Sequence, residues 1–147
     1  MYYLLRFTNE PNGHNMNNTL NTDALTQFTN AYLECAIWSS MDDDGTPLDL
    51  KGYSIYDFDA DSLERATADC QSFITQAVKY ADFDAYTHLR EQGGHDLWLT
   101  RNGHGTGFWD RAYIYGKVNS CLLAHHSKLL KEAHVFELNG KLYIESI

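Results

Sequence analysis

Apolar residues recur at spacings of three and four in three long stretches of the chain, and each stretch predicts a helix with a buried face. The first runs from about Thr22 to Ser40 and is apolar on more than one side. The second starts near Asp61, and Asp61 with Glu64 resembles a capping box. On the third, the positions expected to face the core are Val118, Leu122, His125, Leu129 and Ala133.

Between these helices the pattern predicts strands and loops. Tyr2 to Phe7 is typical of a short strand, and the Asn-rich stretch Asn9 to Asn21 is typical of a loop. Asp42 to Phe58 has no helical period and predicts a long connecting loop. His134 to Ile147 predicts a hairpin with Asn139-Gly140 at its tip, because these two residues tolerate the positive φ of a type I′ turn.

The segment from His95 to Arg111 changes to an alternating pattern and predicts a second hairpin, with Asn102-Gly103 at its tip. A short helix from Asp84 to Gln92 is expected in front of it, ended by Gly93-Gly94. The residues that alternate onto the inner face of this hairpin are Leu97, Leu99, Thr106 and Phe108.

The predicted order of elements is strand, helix, helix, short helix, hairpin, helix and hairpin. This order indicates an α+β fold in which three main helices pack on a small antiparallel sheet made of two hairpins. Neither an internal repeat nor a shift of composition marks a boundary, so the sequence predicts a single domain over residues 1–147.

The net charge of −9 argues against direct binding to nucleic-acid phosphates. It is compatible with a solvated surface, with attraction to a basic partner, or with mimicry of nucleic acid. The acidity is concentrated between Asp42 and Asp69, where nine acidic residues stand against two basic ones. Any acidic working surface would therefore lie in this part of the chain.

No apolar run reaches the length of a membrane span, and the first residues lack the basic segment of a secretory signal. We therefore expect a cytosolic protein that does not associate with membranes. Cys35, Cys70 and Cys121 lie far apart in helical patterns and form no zinc or redox pair, so we interpret them as buried free thiols. No motif indicates a cofactor.

The predicted hairpin holds the densest group of chemically capable side chains. Trp98 and Trp109 alternate onto its exposed face, and Trp and Arg are typical of the centres of protein interfaces. We predict a partner-binding surface formed by Arg101, Asn102, His104, Trp109, Asp110 and Arg111. In the alternative interpretation, Asp96 and Asp110 pair with Arg111 and the glycines only serve turns and packing.

Other arrangements with chemical potential are incomplete. His95 and His104 with nearby aspartates could hold a metal, but the hairpin register places the two histidines far apart. The glycines from Gly103 to Gly107 lack the helix and the Lys-Ser/Thr of a phosphate loop. Asp42 to Gly45 resembles half a calcium loop, but Lys51 stands where the bidentate Glu belongs. We therefore predict no metal site.

Two long stretches of the chain stand out, AYLECAIWSSMDDDGTPLD around Tyr32 and GHDLWLTRNGHGTGFWDR from Gly94 to Arg111. Together they resemble a group of small uncharacterised proteins from tailed bacteriophages and related mobile elements. The resemblance extends over about Asn21 to Arg111 and implies no activity. It implies a phage origin and the host cytoplasm as the place of action, where small acidic proteins outside the virion often bind a host protein.

We therefore expect a non-enzymatic phage protein that binds a host macromolecule, such as a defence enzyme or an enzyme that acts on nucleic acid. Two alternatives remain open. A small hydrolase or nucleotide-binding enzyme would need Arg101, His104 and Asp110 to converge in a pocket. A DNA mimic would need the carboxylates from Asp42 to Asp69 to form a spaced stripe, and not to cap and pair locally.

Overall fold

The computed structural model describes residues 22–79 and 83–146, and over these residues it confirms the α+β class. The helices are α1 (Thr22–Trp38), α2 (Ala60–Ala77), α3 (Phe83–Arg101), α4 (Ala112–Tyr115) and α5 (Lys117–Leu129). The strands are β1 (Ala133–Leu138) and β2 (Lys141–Ser146). Short 3-10 turns lie at Asp49–Lys51, Ile55–Asp57 and Phe108–Asp110. The predicted strand Tyr2–Phe7 and the Asn-rich loop that follows it lie outside the described residues.

The two helices with the clearest apolar pattern form where the pattern places them. α1 buries residues on several sides, as expected, and Phe28 of α1 stacks on Phe73 of α2 with ring centroids 6.0 Å apart. The N-cap of α2 lies two residues before the predicted cap Asp61. Asp59 is its N-cap and accepts a hydrogen bond from the Ser62 amide at 3.0 Å, so the prediction that Asp61 begins this helix is wrong.

The largest departure from the sequence prediction is α3, which runs through Gly93-Gly94 and continues to Arg101. The glycines are needed for packing and do not end the helix. A Cβ on Gly94 would lie 2.6 Å from the Tyr32 amide nitrogen, and closer still to the Phe28 carbonyl oxygen. Because only a residue without a side chain fits there, α3 can lie against the backbone of α1.

Asn102-Gly103 ends α3 and forms no hairpin, so the prediction of a second hairpin is wrong. Gly103 has φ +72°, and its amide donates to the Thr100 carbonyl at 3.1 Å. The His104 amide donates to the Leu99 carbonyl at 3.0 Å. These two bonds form a Schellman motif, in which glycine supplies the left-handed conformation. A helix C-cap and a type I′ turn both favour Asn-Gly, so the dipeptide alone could not distinguish them.

The chain then crosses the end of α3 through the 3-10 turn and α4 before α5 begins. α5 turns a different face to the core than its apolar pattern predicted, burying Ser120, Leu123 and Ser127. Val118, Leu129 and His125 are exposed, so the predicted core-facing His125 is wrong. The buried serines are satisfied: Ser120 donates to the Phe108 carbonyl and Ser127 donates to the Leu123 carbonyl at 2.8 Å. Small side chains bonded in this way let α5 lie close to the 3-10 turn.

The last two strands confirm the predicted C-terminal hairpin. Asn139 and Gly140 form its two-residue turn, with φ values of +53° and +81°. One face of the hairpin enters the core, through Ala133, Val135, Leu142 and Ile144. Phe58 pairs with Leu142, and the Asp59 amide donates to the Leu142 carbonyl at 3.0 Å. In the described part of the chain the sheet therefore has two strands, not the four that two hairpins would supply.

Candidate functional site

Arg101 lies inside the protein, not on an exposed ribbon as predicted. Its guanidinium donates to the Tyr32 hydroxyl and to the Asp69 carboxylate, both at 2.7 Å. It also donates to the Lys131 carbonyl, through Nε at 2.8 Å and through a second nitrogen. Arginine has a planar fork of donors, which suits this set of acceptors on three different elements. Arg101 therefore joins α1, α2 and the segment before β1, and we correct its predicted exposure.

Asn102 also has a structural duty. Its side-chain nitrogen donates to the Trp98 carbonyl at 3.0 Å, and its side-chain oxygen accepts from the Ala133 amide at 2.8 Å. Trp98 is buried as well, which contradicts its predicted position on an exposed face. Its indole nitrogen donates to the Ser39 hydroxyl at 2.9 Å. Trp98, Arg101 and Asn102 thus hold the fold together.

His104 lines a cleft of about 310 Å³ between the C-terminal end of α1, the end of α3 and the start of β1. The other residues of this cleft are Ser39, Ser40, Met41, Trp98, Asn102, Glu132, Ala133, His134 and Val135. Arg101 and Asp110 do not line it. Asp110 instead accepts from the Gly107 amide at 3.0 Å and from the Thr106 hydroxyl at 3.1 Å, which caps the 3-10 turn.

The pocket required by the hydrolase alternative is therefore not formed by its three named residues. Arg101, His104 and Asp110 each contact a separate set of neighbours. The structure also contains no group of three or more His, Cys, Asp or Glu side chains arranged to hold a metal, within residues 22–79 and 83–146. Arg101, His104 and Asp110 therefore do not converge in the way that this alternative requires.

Arg111 is the centre of the polar arrangement that remains at the surface. Its Nε donates to the fully buried Asp96 carboxylate at 2.7 Å, and the other carboxylate oxygen accepts from the buried Tyr115 hydroxyl at 2.7 Å. Burial raises the pKa of the Asp96 carboxyl, although the hydrogen bonds from Arg111 and Tyr115 oppose that shift. The Asp96–Arg111 pair was one of the structural pairings that the sequence suggested, and it is present.

Trp109 and Tyr113 lie two residues before and two residues after Arg111 in the sequence, and they are largely exposed, at 55% and 78% of their surface. The Tyr113 hydroxyl lies 3.4 Å from an Arg111 nitrogen that donates to it. We refer to Trp109, Arg111 and Tyr113 as the Trp–Arg–Tyr surface. Two of its members were predicted from the sequence. Tyr113 was missed, and the alternation of large side chains at 109, 111 and 113 is the signal that could have identified it.

The acidic segment forms a loop with two 3-10 turns, which confirms the prediction of a long connection. Several of its carboxylates act locally. Asp42 accepts from the Asp44 and Thr46 amides at 2.9 and 2.8 Å and pairs with Lys51 at 2.8 Å. Asp57 caps the 3-10 turn Ile55–Asp57, Asp59 caps α2, and Asp69 pairs with Arg101. This local use of charge weighs against a continuous stripe that imitates DNA.

The prediction of buried free thiols is confirmed for two of the three cysteines. Cys35 and Cys70 are buried and free, whereas Cys121 is free but exposed. Burial raises the pKa of the Cys35 thiol to about 12, and the Asp96 carboxylate adds to that shift. The two buried thiols are thus part of the core.

Comparison of the chain with protein-family models, with curated proteins and with solved structures finds no match. The helices in the described ranges are each too short or too polar to cross a membrane.

Proposed function

We propose that the chain is a phage accessory protein, separate from the virion, that acts in the host cytoplasm by binding a host protein. Defence enzymes and enzymes that act on nucleic acid are the host proteins to examine first. The observation that carries the proposal is the Trp–Arg–Tyr surface. Trp, Tyr and Arg are the residue types that supply most of the binding energy in protein interfaces.

The anchoring of Arg111 supports a role in recognition. An arginine that moves freely loses conformational entropy when it is ordered at an interface, at a cost of about 1 kcal/mol. The buried Asp96 carboxylate already holds the Arg111 side chain at 2.7 Å, so part of this ordering takes place during folding. The exposed Trp109 and Tyr113 rings, close to Arg111 in the sequence, provide rigid, largely apolar contact area.

The chemistry of the surface favours a protein partner over nucleic acid. One arginine, already paired with an aspartate, does not make a basic patch, and the net charge of the chain is −9. Long-range attraction therefore favours a partner with a basic surface. Asp110, Asn102 and Arg101 of the predicted site support the fold around this surface, since their side chains are engaged within the protein.

The test is affinity purification from infected host cells with the full chain and a Trp109→Ala/Tyr113→Ala variant. We expect a host protein that co-purifies with the wild-type chain and is lost from the variant. Trp38→Ala/Tyr56→Ala is the matched control, because it removes the same residue types from comparably exposed positions. A partner retained by the first variant, or lost equally from both, would contradict the proposal.

A further inference from the structure

The outer edge of β1 carries backbone groups without a partner in the described part of the chain. On β2, the Leu142 carbonyl accepts from Asp59, and the Ile144 amide donates to Ser62, so these two residues point away from β1. Their antiparallel partners are Glu137 and Val135. Directly opposite residues in such a pair either bond to each other or both point outward. The amide and carbonyl groups of Val135 and Glu137 therefore point away from β2.

The two edges of the hairpin differ in how these outward groups are used. The edge of β2 is covered by the segment from Phe58 to Ser62 and by Arg65, which donates to the Ile144 carbonyl at 2.6 Å. On β1, the Ala133 amide is taken by the Asn102 side chain. Beyond Ala133, the outward groups of β1 have no partner among residues 22–79 and 83–146 and are open to an added strand there. An open strand edge attracts other chains, so proteins normally cover it or block it.

Two grooves run along this open edge. The first is the cleft of about 310 Å³ beside Ala133 and Val135, and the second has a volume of about 220 Å³ and lies beside Val135 and Glu137. Met41 lines both grooves, so they adjoin each other along β1. A strand rises about 3.3 Å per residue, so the edge from Ala133 to Glu137 could accommodate about five residues of an extended segment.

The walls of the second groove are acidic. Its charged residues are Asp42, Asp43, Asp44, Lys51 and Glu137, with a net charge of three negative. Lys51 donates to both Asp42 and Glu137 at 2.8 Å and fixes the acidic turn against β1. Asp43 and Asp44 extend from that turn as exposed carboxylates. Charge complementarity therefore selects a segment that carries lysine or arginine at this end of the groove.

The outer face of the hairpin favours a bound segment that also carries apolar residues. Phe136 and Tyr143 stack across the strands with ring centroids 5.2 Å apart, and Phe136 and Leu138 are both substantially exposed. A strand added beside β1 would place alternate side chains next to Phe136, where an apolar residue buries the most surface. The favoured ligand therefore alternates basic and apolar residues.

We propose that the open edge of β1 binds an extended, basic segment of a partner protein as an added third strand. Backbone hydrogen bonds from Val135 and Glu137 would hold the segment, and the acidic turn at Asp43 and Asp44 would select its charge. The inference rests on the proposed function only in that the chain binds a protein. It names a surface separate from the Trp–Arg–Tyr surface, and it can fail or succeed independently of that surface.

The probe is a hexapeptide of alternating Lys and Val, added to the full isotopically labelled chain. We expect the amides of Val135 and Glu137 to exchange rapidly in the free chain and to become protected when the peptide binds. A peptide of the same sequence with N-methylated backbone amides should not bind, because it cannot complete the strand pairing. A peptide of alternating Glu and Val should bind at least about tenfold more weakly than the basic one.

Variants of the chain separate the contribution of charge from general effects. Asp43→Lys/Asp44→Lys should weaken binding of the basic hexapeptide by about tenfold or more. Glu34→Lys/Glu64→Lys makes the same change in net charge at exposed helical positions and should leave the affinity within about twofold. Trp109→Ala/Tyr113→Ala should also leave it unchanged, which keeps the outcome distinct from that of the proposed function.

Three results would overturn the inference. Protection of the Val135 and Glu137 amides in the free chain at every concentration would mean that the chain's own residues cover the edge. Protection that disappears on dilution would mean that a second copy covers it. Equal binding of the basic, acidic and N-methylated peptides would mean that neither charge nor strand pairing is recognised.

Discussion

Residues 93–101 and residues 104–113 are adjacent in the chain and similar in composition, yet they have opposite positions in the molecule. The first region is a buried helix, and the second is a surface segment with 3-10 structure. Each contains an arginine paired with an aspartate. In the pair Arg101–Asp69 the arginine side chain is 2% exposed and the aspartate 32%, whereas in the pair Arg111–Asp96 the values are 21% and 0%.

The comparison shows that two arginine–aspartate pairs can differ in role, one serving the fold and the other a surface, according to which member is buried. Where the arginine is the buried member, it cannot lose its charge and must keep its acceptors, so the pair serves the fold. Where the aspartate is buried, it can take up a proton, and the arginine reaches the surface. Only the second arrangement leaves a guanidinium available for a partner. Breaking each pair should therefore have different consequences.

The largest effect is expected for Arg101→Ala. The change leaves the buried Tyr32 hydroxyl and the Lys131 carbonyl without their donor and opens a cavity, so the free energy of unfolding should fall by about 4 kcal/mol. Urea denaturation measures this loss, and Lys128→Ala serves as a control that removes an exposed positive charge. An unchanged urea midpoint for Arg101→Ala would contradict the buried position of Arg101 and favour the exposed position that the sequence predicted.

Gly94→Ala should be the next most destabilising change. The added methyl group meets the backbone of Phe28 and Tyr32, so α1 and α3 must separate, at a cost of about 3 kcal/mol. Gly105→Ala is the control, because a Cβ there meets no atom within 4 Å, and it should stay within about 0.5 kcal/mol. Equal stability of the two variants would contradict the close crossing of the helices.

Arg111→Ala should lower the free energy of unfolding by about 2 kcal/mol at neutral pH, because it leaves the buried Asp96 carboxylate with one fewer donor. In the folded wild-type chain the pKa of the Asp96 carboxyl is already raised, and it should rise further in the variant. The folded state then binds a proton more readily than the unfolded state, so the loss should shrink as the pH falls towards the ordinary aspartate value of 3.8.

This pH dependence distinguishes the two ion pairs. Urea denaturation over a series of pH values should show that the free energy of unfolding of Arg111→Ala approaches that of the wild-type chain as the pH falls. Adding Asp96→Asn to the variant removes the titrating group and should abolish the recovery. Arg101→Ala should show no comparable recovery, because the Asp69 carboxylate is partly exposed to solvent.

The smallest effect on stability is expected for Trp109→Ala/Tyr113→Ala. Both side chains are mostly exposed, so the free energy of unfolding should change by no more than about 0.5 kcal/mol, while binding of a partner is lost. Thermal denaturation of the variant beside the wild-type chain checks the first half of this expectation. A loss of several kcal/mol would show that the two aromatic residues belong to the core.

Much of the fold follows from local pattern. The apolar spacing of α1 and α2, and the Asn139-Gly140 turn between two alternating segments, are sufficient to predict these elements. The candidate site was predicted less completely. Trp109 is exposed as expected and Arg111 is partly exposed, but Arg101 and Asn102 support the fold. Long polar side chains have the same sequence signature whether they meet solvent or buried acceptors.

The sequence by itself determined the α+β class, the acidic character, two of the long helices and the C-terminal hairpin, because each depends on residues close together in the chain. The tertiary structure decided that α3 continues beyond the predicted end at Gln92 to Arg101. Gly93-Gly94 and Asn102-Gly103 are compatible locally with a helix end and a hairpin turn. The close approach of α1 to Gly94 makes the longer helix favourable, since it buries Leu97, Trp98 and Leu99 together. That gain depends on contacts of Gly94 with Phe28 and Tyr32, which are far apart from it in the sequence, and no local pattern contains them.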